Sequence, residues 1–217
     1  LVDDCPLRIL KRFRVDQSWD LEPGDLLYLP PKYAHNGVAL TDCMTWSIGF
    51  RAPAAQEMAS EFLMYMQDRL CLDGLYADPD LRPSRHPGRI PPAMARGLKD
   101  MIRKIRWTDA DMNDFIGRYL SEPKPHVFFD PPDRPGKPAT FAKRLRDRGV
   151  YLDARTRMLY SGHVFHINGE RVETDPELAL ALRQLADSRR LPPGSHDEAL
   201  ADLIFDWYQN GYLHLAD

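Results

Sequence analysis

The 217 residues carry 29 Lys and Arg against 32 Asp and Glu, a net charge of −3, which lacks the overall basic excess of a chain whose main work is gripping nucleic acid. Hydrophobic residues make up 43% and charged residues 28%, the balance of a folded globular protein rather than a disordered one. No apolar run approaches the ~20 residues a membrane helix needs, and Cys5, Cys43 and Cys71, scattered and without a CxxC pair, indicate neither a disulfide framework nor a zinc site, so a reducing cytoplasm is the expected compartment.

The chain begins at Leu1 without an initiator Met, and its first residues show no targeting or tag pattern. It is therefore read as the carboxy-terminal part of a longer protein. Residues 7–15 (LRILKRFRV) alternate basic and apolar side chains and, with Trp19, predict a strand and connector. Lys11, Arg12 and Arg14 are then a solvated strand face, with a substrate-attracting rim as the alternative. Residues 22–25 (EPGD) form a turn, because Pro23 presets φ and Gly24 accepts positive φ. Residues 26–29 suit a short buried strand, Pro30 and Pro31 end it by removing backbone donors, and His35 follows on the next turn. Residues 41–50 predict a returning strand whose Met44, Trp46, Ile48 and Phe50 alternate with Thr45, Ser47 and Gly49, giving one apolar and one small polar face.

Three amphipathic helices come next. Pro53 opens the first, with Met58, Phe62, Leu63, Met66 and Leu70 as its stripe and Gly74 closing the region. Residues 75–92 are a Pro-rich crossing containing His86, read as structural because no ligand lies at metal spacing beside it. Pro92 starts the second helix, with Met94, Leu98, Met101, Ile102 and Ile105 on one face. Thr108 caps the third, with Asp111 placed for a capping box and Met112, Phe115, Ile116, Tyr119 and Leu120 on the stripe. Three such stripes need covering, and self-association through residues 53–122 would supply it, with core packing or, for the methionine-rich stripe, a peptide-binding groove as the alternatives. Residues 123–138 are dense in Pro and mark a linker, in which His126 and Asp130 flank aromatics as anchors rather than as a catalytic pair.

Beyond the linker, residues 139–217 change character. Thr140 is the expected cap of a helix over 141–148 that Gly149 ends. Short strands are predicted at 150–152, 163–168 and 171–173, the last two joined by an Asn168-Gly169 hairpin turn. Helices at 176–188 and 197–210 and a terminal strand at 212–215 complete a helical unit with a β wing. Lys143, Arg144, Arg146 and Arg148 make one helix basic, yet acidic residues outnumber basic ones from 140 onward and Asp197, Glu198, Asp202 and Asp206 crowd the last helix, a poor footprint for DNA. His163 and His166 are read as neighbours on one strand face, without a third ligand, and so as wing surface.

Gly24, Pro30 and His35 are spaced as in the second metal-binding motif of the cupin barrels, with Lys32 where cupins usually carry Gly and Ala39 where they often carry Asn. The longer run EPGDLLYLPPKYAHNGVAL followed by WSIGFRAP, the Asp-Pro and His-Pro crossing and the closing winged unit together resemble the bacterial ribosomal oxygenases, JmjC-type cupins. The resemblance implies an α+β chain: the end of a double-stranded β-helix (cupin/JmjC) barrel at 1–52, a helical dimerisation region at 53–122, a linker at 123–138 and a winged-helix domain at 139–217. It also implies Fe(II) and 2-oxoglutarate as cofactors, a side chain of a large-subunit ribosomal protein, arginine above all, as substrate, and a homodimer.

Alone, His35 would be an ordinary turn histidine; the resemblance makes it a metal ligand. Non-haem Fe(II) oxygenases use two His and one carboxylate on one face, and in the resembling family the other two ligands come from an upstream His-x-Asp pair. No His precedes His35, so this chain alone is expected to be inactive. In a JmjC barrel the small polar face of 41–50 would look into the pocket, making Ser47 a candidate to line the 2-oxoglutarate or substrate site, against simple packing as the alternative. Two other functions remain open: a cupin using another metal for a different reaction, and a non-catalytic dimerisation or docking module.

Overall fold

The structure, a computed structural model, describes residues 3, 6, 9–49, 52–80, 82–83 and 85–216. It comprises two compact units, Leu1–Arg51 and Ala52–Asp217. Cys5, Phe50, Arg51 and the first two residues of the expected 7–15 strand lie outside the described residues.

In the first unit the turns form and, among the described residues, the strands do not. Asp25 donates its backbone N–H to Glu22 O (3.0 Å) and returns a carboxylate to the Glu22 N–H (2.9 Å), with Gly24 at φ 102° as the EPGD turn requires. A second turn of the same kind follows, with Pro31 in its second position, Lys32 in its third at φ 74°, and Tyr33 N–H on Pro30 O at 3.3 Å. Lys32 thus holds the left-handed conformation that a glycine adopts freely. The strands expected at 7–15, 26–29 and 41–50 are absent from the described residues, which carry turns, bends and extended backbone there. Leu26, Met44, Trp46 and Ile48 are 75–85% exposed. A strand exists only with a partner ladder and a covered face, and nothing described in this unit supplies either.

The second unit opens with α1 (Ala55–Gln67), α2 (Pro92–Ile102) and α3 (Asp109–Ser121). α1 begins two residues past Pro53 and ends at Gln67, short of the Leu70 expected in its stripe. α2 carries Pro92 in its first turn, where a missing N–H costs nothing. α3 has the predicted capping box, with Thr108 Oγ1 accepting from Asp111 N–H (3.2 Å) and the Asp111 carboxylate from Thr108 N–H (2.7 Å).

The stripes of α1 and α3 cover one another. Phe62 meets Phe115 at 5.3 Å and Trp107 at 5.6 Å between ring centroids, Tyr65 meets Phe115 at 5.5 Å, and Met66 and Phe115 are buried. On the three helices Leu63, Met64, Leu98, Ile102, Ile116 and Leu120 are left exposed, and Trp107 is half exposed at the edge of the aromatic contact.

The winged unit follows as α4 (Pro138–Arg148), β1 (Val150–Leu152), β2 (Met158–Ser161), β3 (Val164–Ile167), β4 (Glu170–Glu173), α5 (Pro176–Ser188), β5 (Arg190–Leu191), α6 (Glu198–Gln209) and β6 (Leu213–Leu215). Its strands form two antiparallel sheets, ordered β5-β1-β6 and β2-β3-β4. α4 starts at Pro138, not behind Thr140, because Pro138 takes the first-turn position and Lys137 becomes the cap. Asn168 (φ 49°) and Gly169 (φ 88°) make the β3–β4 turn, both positive as a two-residue hairpin of this twist demands. The short strands β2 and β5 were not expected. Phe141, Leu145, Phe165, Ile167, Leu182, Leu185, Ile204 and Leu213 are fully buried between the helices and sheets.

The Pro-rich stretch 123–138 is strapped to this unit. Arg155 donates to Phe128 O (2.7 Å) and Asp130 (2.8 Å), and Phe129 packs edge-on against Tyr212 at 4.8 Å. Gly211 makes the crossing possible, since a Cβ there would lie 2.7 Å from the Asp130 backbone.

Candidate metal centre

His35 leaves the Pro30–Tyr33 turn two residues beyond its end. Its ring is exposed, with Nδ1 3.4 Å from the Tyr33 carbonyl, at the limit of a hydrogen bond. Ser47 is exposed on extended backbone. Among the described residues no three His, Cys, Asp or Glu side chains are placed to hold a metal ion. His35 therefore offers one nitrogen donor of the right chemistry for Fe(II), and the described residues do not complete a facial set around it. They do not by themselves fit the iron and 2-oxoglutarate that the resemblance implies. Among the described residues His86 and His126 likewise belong to no group of three metal-ligating side chains.

The titratable clusters that do form lie in the second unit. Asp114, on the inner face of α3, accepts from Tyr65 of α1 (2.7 Å), from Arg69 just past the end of α1 (3.1 Å), from Arg118 (3.0 Å) one turn on, and from His166 Nε2 of β3 (2.9 Å), with Arg171 Nε of β4 at 3.5 Å. Burial alone would raise the Asp114 carboxyl, but the hydrogen bonds from His166, Tyr65 and Arg118 hold it well below the usual carboxylate range. His166 is 4% exposed, so it is not wing surface. It lies three positions from His163, not on the same face, and only His163 points to solvent. Gly117 supplies the notch for its ring, where a Cβ would fall 2.1 Å from His166 Nδ1.

Asp153 forms a second cluster. Arg155 grips both its oxygens (2.8 and 2.9 Å) and His214 Nε2 reaches it at 2.9 Å. The Arg155 bonds, against the opposing effect of burial, place this carboxyl well below its ordinary range as well. Tyr212 is pushed up to about 12 by burial and by its bond to Glu170. Carboxylates saturated with donors in this way fasten elements together; they are not poised to take a proton from a substrate. Sequence reading missed Asp114, whose one local signal is Arg118 four residues on; its other partners come from α1 and the turn after it, β3 and β4.

The ROXA-like winged helix family matches residues 104–214, just over half of the chain, and the JmjC domain family matches residues 2–58. The chain is 31% identical over 187 residues to the ribosomal protein uL16 3-hydroxylase of Escherichia coli (strain K12), covering 86% of this chain and 50% of that protein. It is 38% identical over 229 aligned positions to a probable ribosomal oxygenase of Haemophilus influenzae, covering 88% and 54%. It thus spans about half the length of these curated relatives. Among solved structures it resembles the ribosomal oxygenase YcfD of Escherichia coli, with a TM-score of 0.59 at 25% identity over 77% of this chain and 48% of that one. A similar match is to YcfD solved with cobalt and succinic acid (TM-score 0.58, 25% identity, 76% and 47%). Joining an α+β winged-helix domain to a JmjC segment, the chain belongs to the JmjC-type ribosomal oxygenase family.

Proposed function

We propose that the protein carrying this chain is an Fe(II)- and 2-oxoglutarate-dependent oxygenase that hydroxylates a side chain, arginine in the first instance, of a large-subunit ribosomal protein. The observation that carries this reading is the pairing of a JmjC match over residues 2–58 with a ROXA-like winged-helix match over 104–214, in a chain 31% identical to a protein named as a ribosomal protein uL16 3-hydroxylase. His35 is the proposed metal ligand and Ser47 the proposed lining residue of the 2-oxoglutarate or substrate pocket. The ordered turns before His35 support its role, because they fix the direction in which the chain reaches the imidazole. The chain alone is not expected to turn over, since one imidazole does not hold Fe(II) against water.

The reading extends to a homodimer through the helices of residues 53–122. Its faces are not Phe62 with Met66 and Phe115 with Tyr119, which pack on each other within the chain, but the exposed Leu63, Met64, Ile116 and Leu120. Direct DNA binding is not part of the proposal. No helix among the described residues is long and apolar enough to cross a membrane.

The test is His35→Ala in the protein with its complete JmjC domain. It abolishes 2-oxoglutarate-dependent hydroxylation and stoichiometric iron binding while leaving the circular dichroism spectrum and melting temperature unchanged. Wild-type turnover in that variant removes His35 from the metal site.

A further inference from the structure

The winged unit has a cationic groove that neither cluster described above uses. It lies where the end of α4 meets β5 and encloses about 370 Å³, with Arg148, Gln184, Ser188, Arg190, Pro192 and Pro193 on its walls. Arg148 and Arg190 are exposed and make no ion pair among the described residues. Arg144 lies one helical turn before Arg148 on the same face of α4, also exposed and unpaired, and Lys143 and Arg146 flank it. In contrast, Arg155 and Arg171 are tied to carboxylates, and Arg183 and Arg189 to backbone carbonyls.

The groove's shape depends on two backbone positions that ordinary residues disfavour. Arg189 caps α5 in the left-handed region at φ 58°, held there by its own guanidinium on Thr156 O (3.1 Å) and Asp153 O (2.6 Å). That turn delivers Arg190 to the edge strand. Gly149, at φ 76°, lets the 191–193 backbone close on the end of α4, where a Cβ would lie 2.3 Å from Leu191 O. Gly194 N–H then bonds Arg146 O at 3.0 Å, fixing the loop. These contacts set the backbone positions from which Arg148 and Arg190 extend.

Among the described residues none of the acidic side chains lines the groove itself, although exposed Asp187 adjoins Ser188 on its wall. On α4 the acid is Asp147, while Glu198, Asp202 and Asp206 line the exposed side of α6. We infer that the Arg144, Arg148 and Arg190 surface docks the phosphate backbone of RNA. Guanidinium forks match phosphate oxygens in pairs of hydrogen bonds, and cations one helical turn apart suit a partner that carries a charge on every unit. Among the described residues no aromatic side chain lines the groove to stack a base, so recognition is of backbone, not sequence. The choice of RNA over other polyanions rests on the proposed action on a ribosomal protein, whose surroundings are RNA.

The test measures binding of a fluorescent single-stranded RNA of mixed sequence to the full-length protein by anisotropy, across a salt series. The wild type binds with a salt slope that the Arg148→Glu, Arg190→Glu double variant reduces by roughly 1.4, the change for two lost phosphate contacts on a single strand. Arg96→Glu with Lys99→Glu, the same charge change on α2, leaves binding within about twofold. Arg148→Gln with Arg190→Gln gives the milder loss if the reversals disturb folding. Absence of salt-dependent RNA binding, equal loss in the α2 control, or tighter binding of polyglutamate than of RNA overturns the inference. Hydroxylation of the isolated ribosomal protein is unchanged in the groove variants, so its failure in wild type would count against the proposed function and not against the groove.

Discussion

Replacing Asp114 with alanine removes one carboxylate that gathers donors from α1, α3, β3 and β4, and its cost follows from which donors water can reach. Arg69, Arg118 and Arg171 keep 39%, 34% and 38% of their side chains exposed and can rehydrate. His166 at 4% exposure cannot. A buried donor left unsatisfied costs about 1–3 kcal/mol, and the hydrogen bond of half-buried Tyr65 to a charged acceptor adds about 1.5 kcal/mol, the lower end of its range, for a loss of about 3 kcal/mol at neutral pH. Urea unfolding reads this as a drop in midpoint of about 1 M for a slope of 2–3 kcal/mol/M. Trp107, packed on Phe62, reports the helical contact, and Trp207, 2% exposed, reports the winged core. The native Asp114 carboxyl lies below its ordinary value near 4, so its contribution is complete above that pH and fades as the pH falls toward the native value. The gap between wild type and Asp114→Ala is therefore full at pH 7 and closes in acid. A loss below about 1 kcal/mol at pH 7, or a gap that widens in acid, refutes this reasoning.

Gly117→Ala tests the same contact from the other side. Alanine ordinarily favours a helix interior by about 1 kcal/mol, but here its Cβ meets the His166 ring at 2.1–2.5 Å, so thermal unfolding shows net destabilisation of about 1–3 kcal/mol. The Asp114→Ala, Gly117→Ala pair is less than additive because both act through one imidazole. For the proposed dimer, Leu63→Arg or Ile116→Arg yields monomer mass by light scattering with an unchanged circular dichroism spectrum; Phe115→Arg instead unfolds the helical region, because that ring is buried within the chain.

Local signals carried most of the second unit. The Thr108–Asp111 box, Pro92, Gly149 and Asn168-Gly169 each act through neighbours in sequence, and each forms as expected. β2 escaped because its turn, Ser161-Gly162-His163, is a weaker signal than Asn-Gly, and β5 because two residues carry no periodicity. The reading of His166 failed on register, since an odd separation along a strand puts side chains on opposite faces. Its partner Asp114 is 52 residues away, beyond the reach of any local pattern. In the first unit the turns were legible and the strands misleading, because alternation predicts a face to bury and not the partner that buries it. The proposal for His35 rests on its motif, and among the described residues no group of three His, Cys, Asp or Glu side chains forms around it.

The central claim is that the protein containing this chain oxidises a ribosomal protein with 2-oxoglutarate, and one mass-spectrometric measurement addresses it. The full-length protein is incubated with Fe(II), 2-oxoglutarate, oxygen and the large-subunit ribosomal proteins of its own source, with a parallel sample lacking 2-oxoglutarate. The account predicts that one ribosomal protein gains the mass of a single oxygen atom, on an arginine, only where 2-oxoglutarate is present. No mass gain in any ribosomal protein, or a gain that does not depend on 2-oxoglutarate, contradicts it.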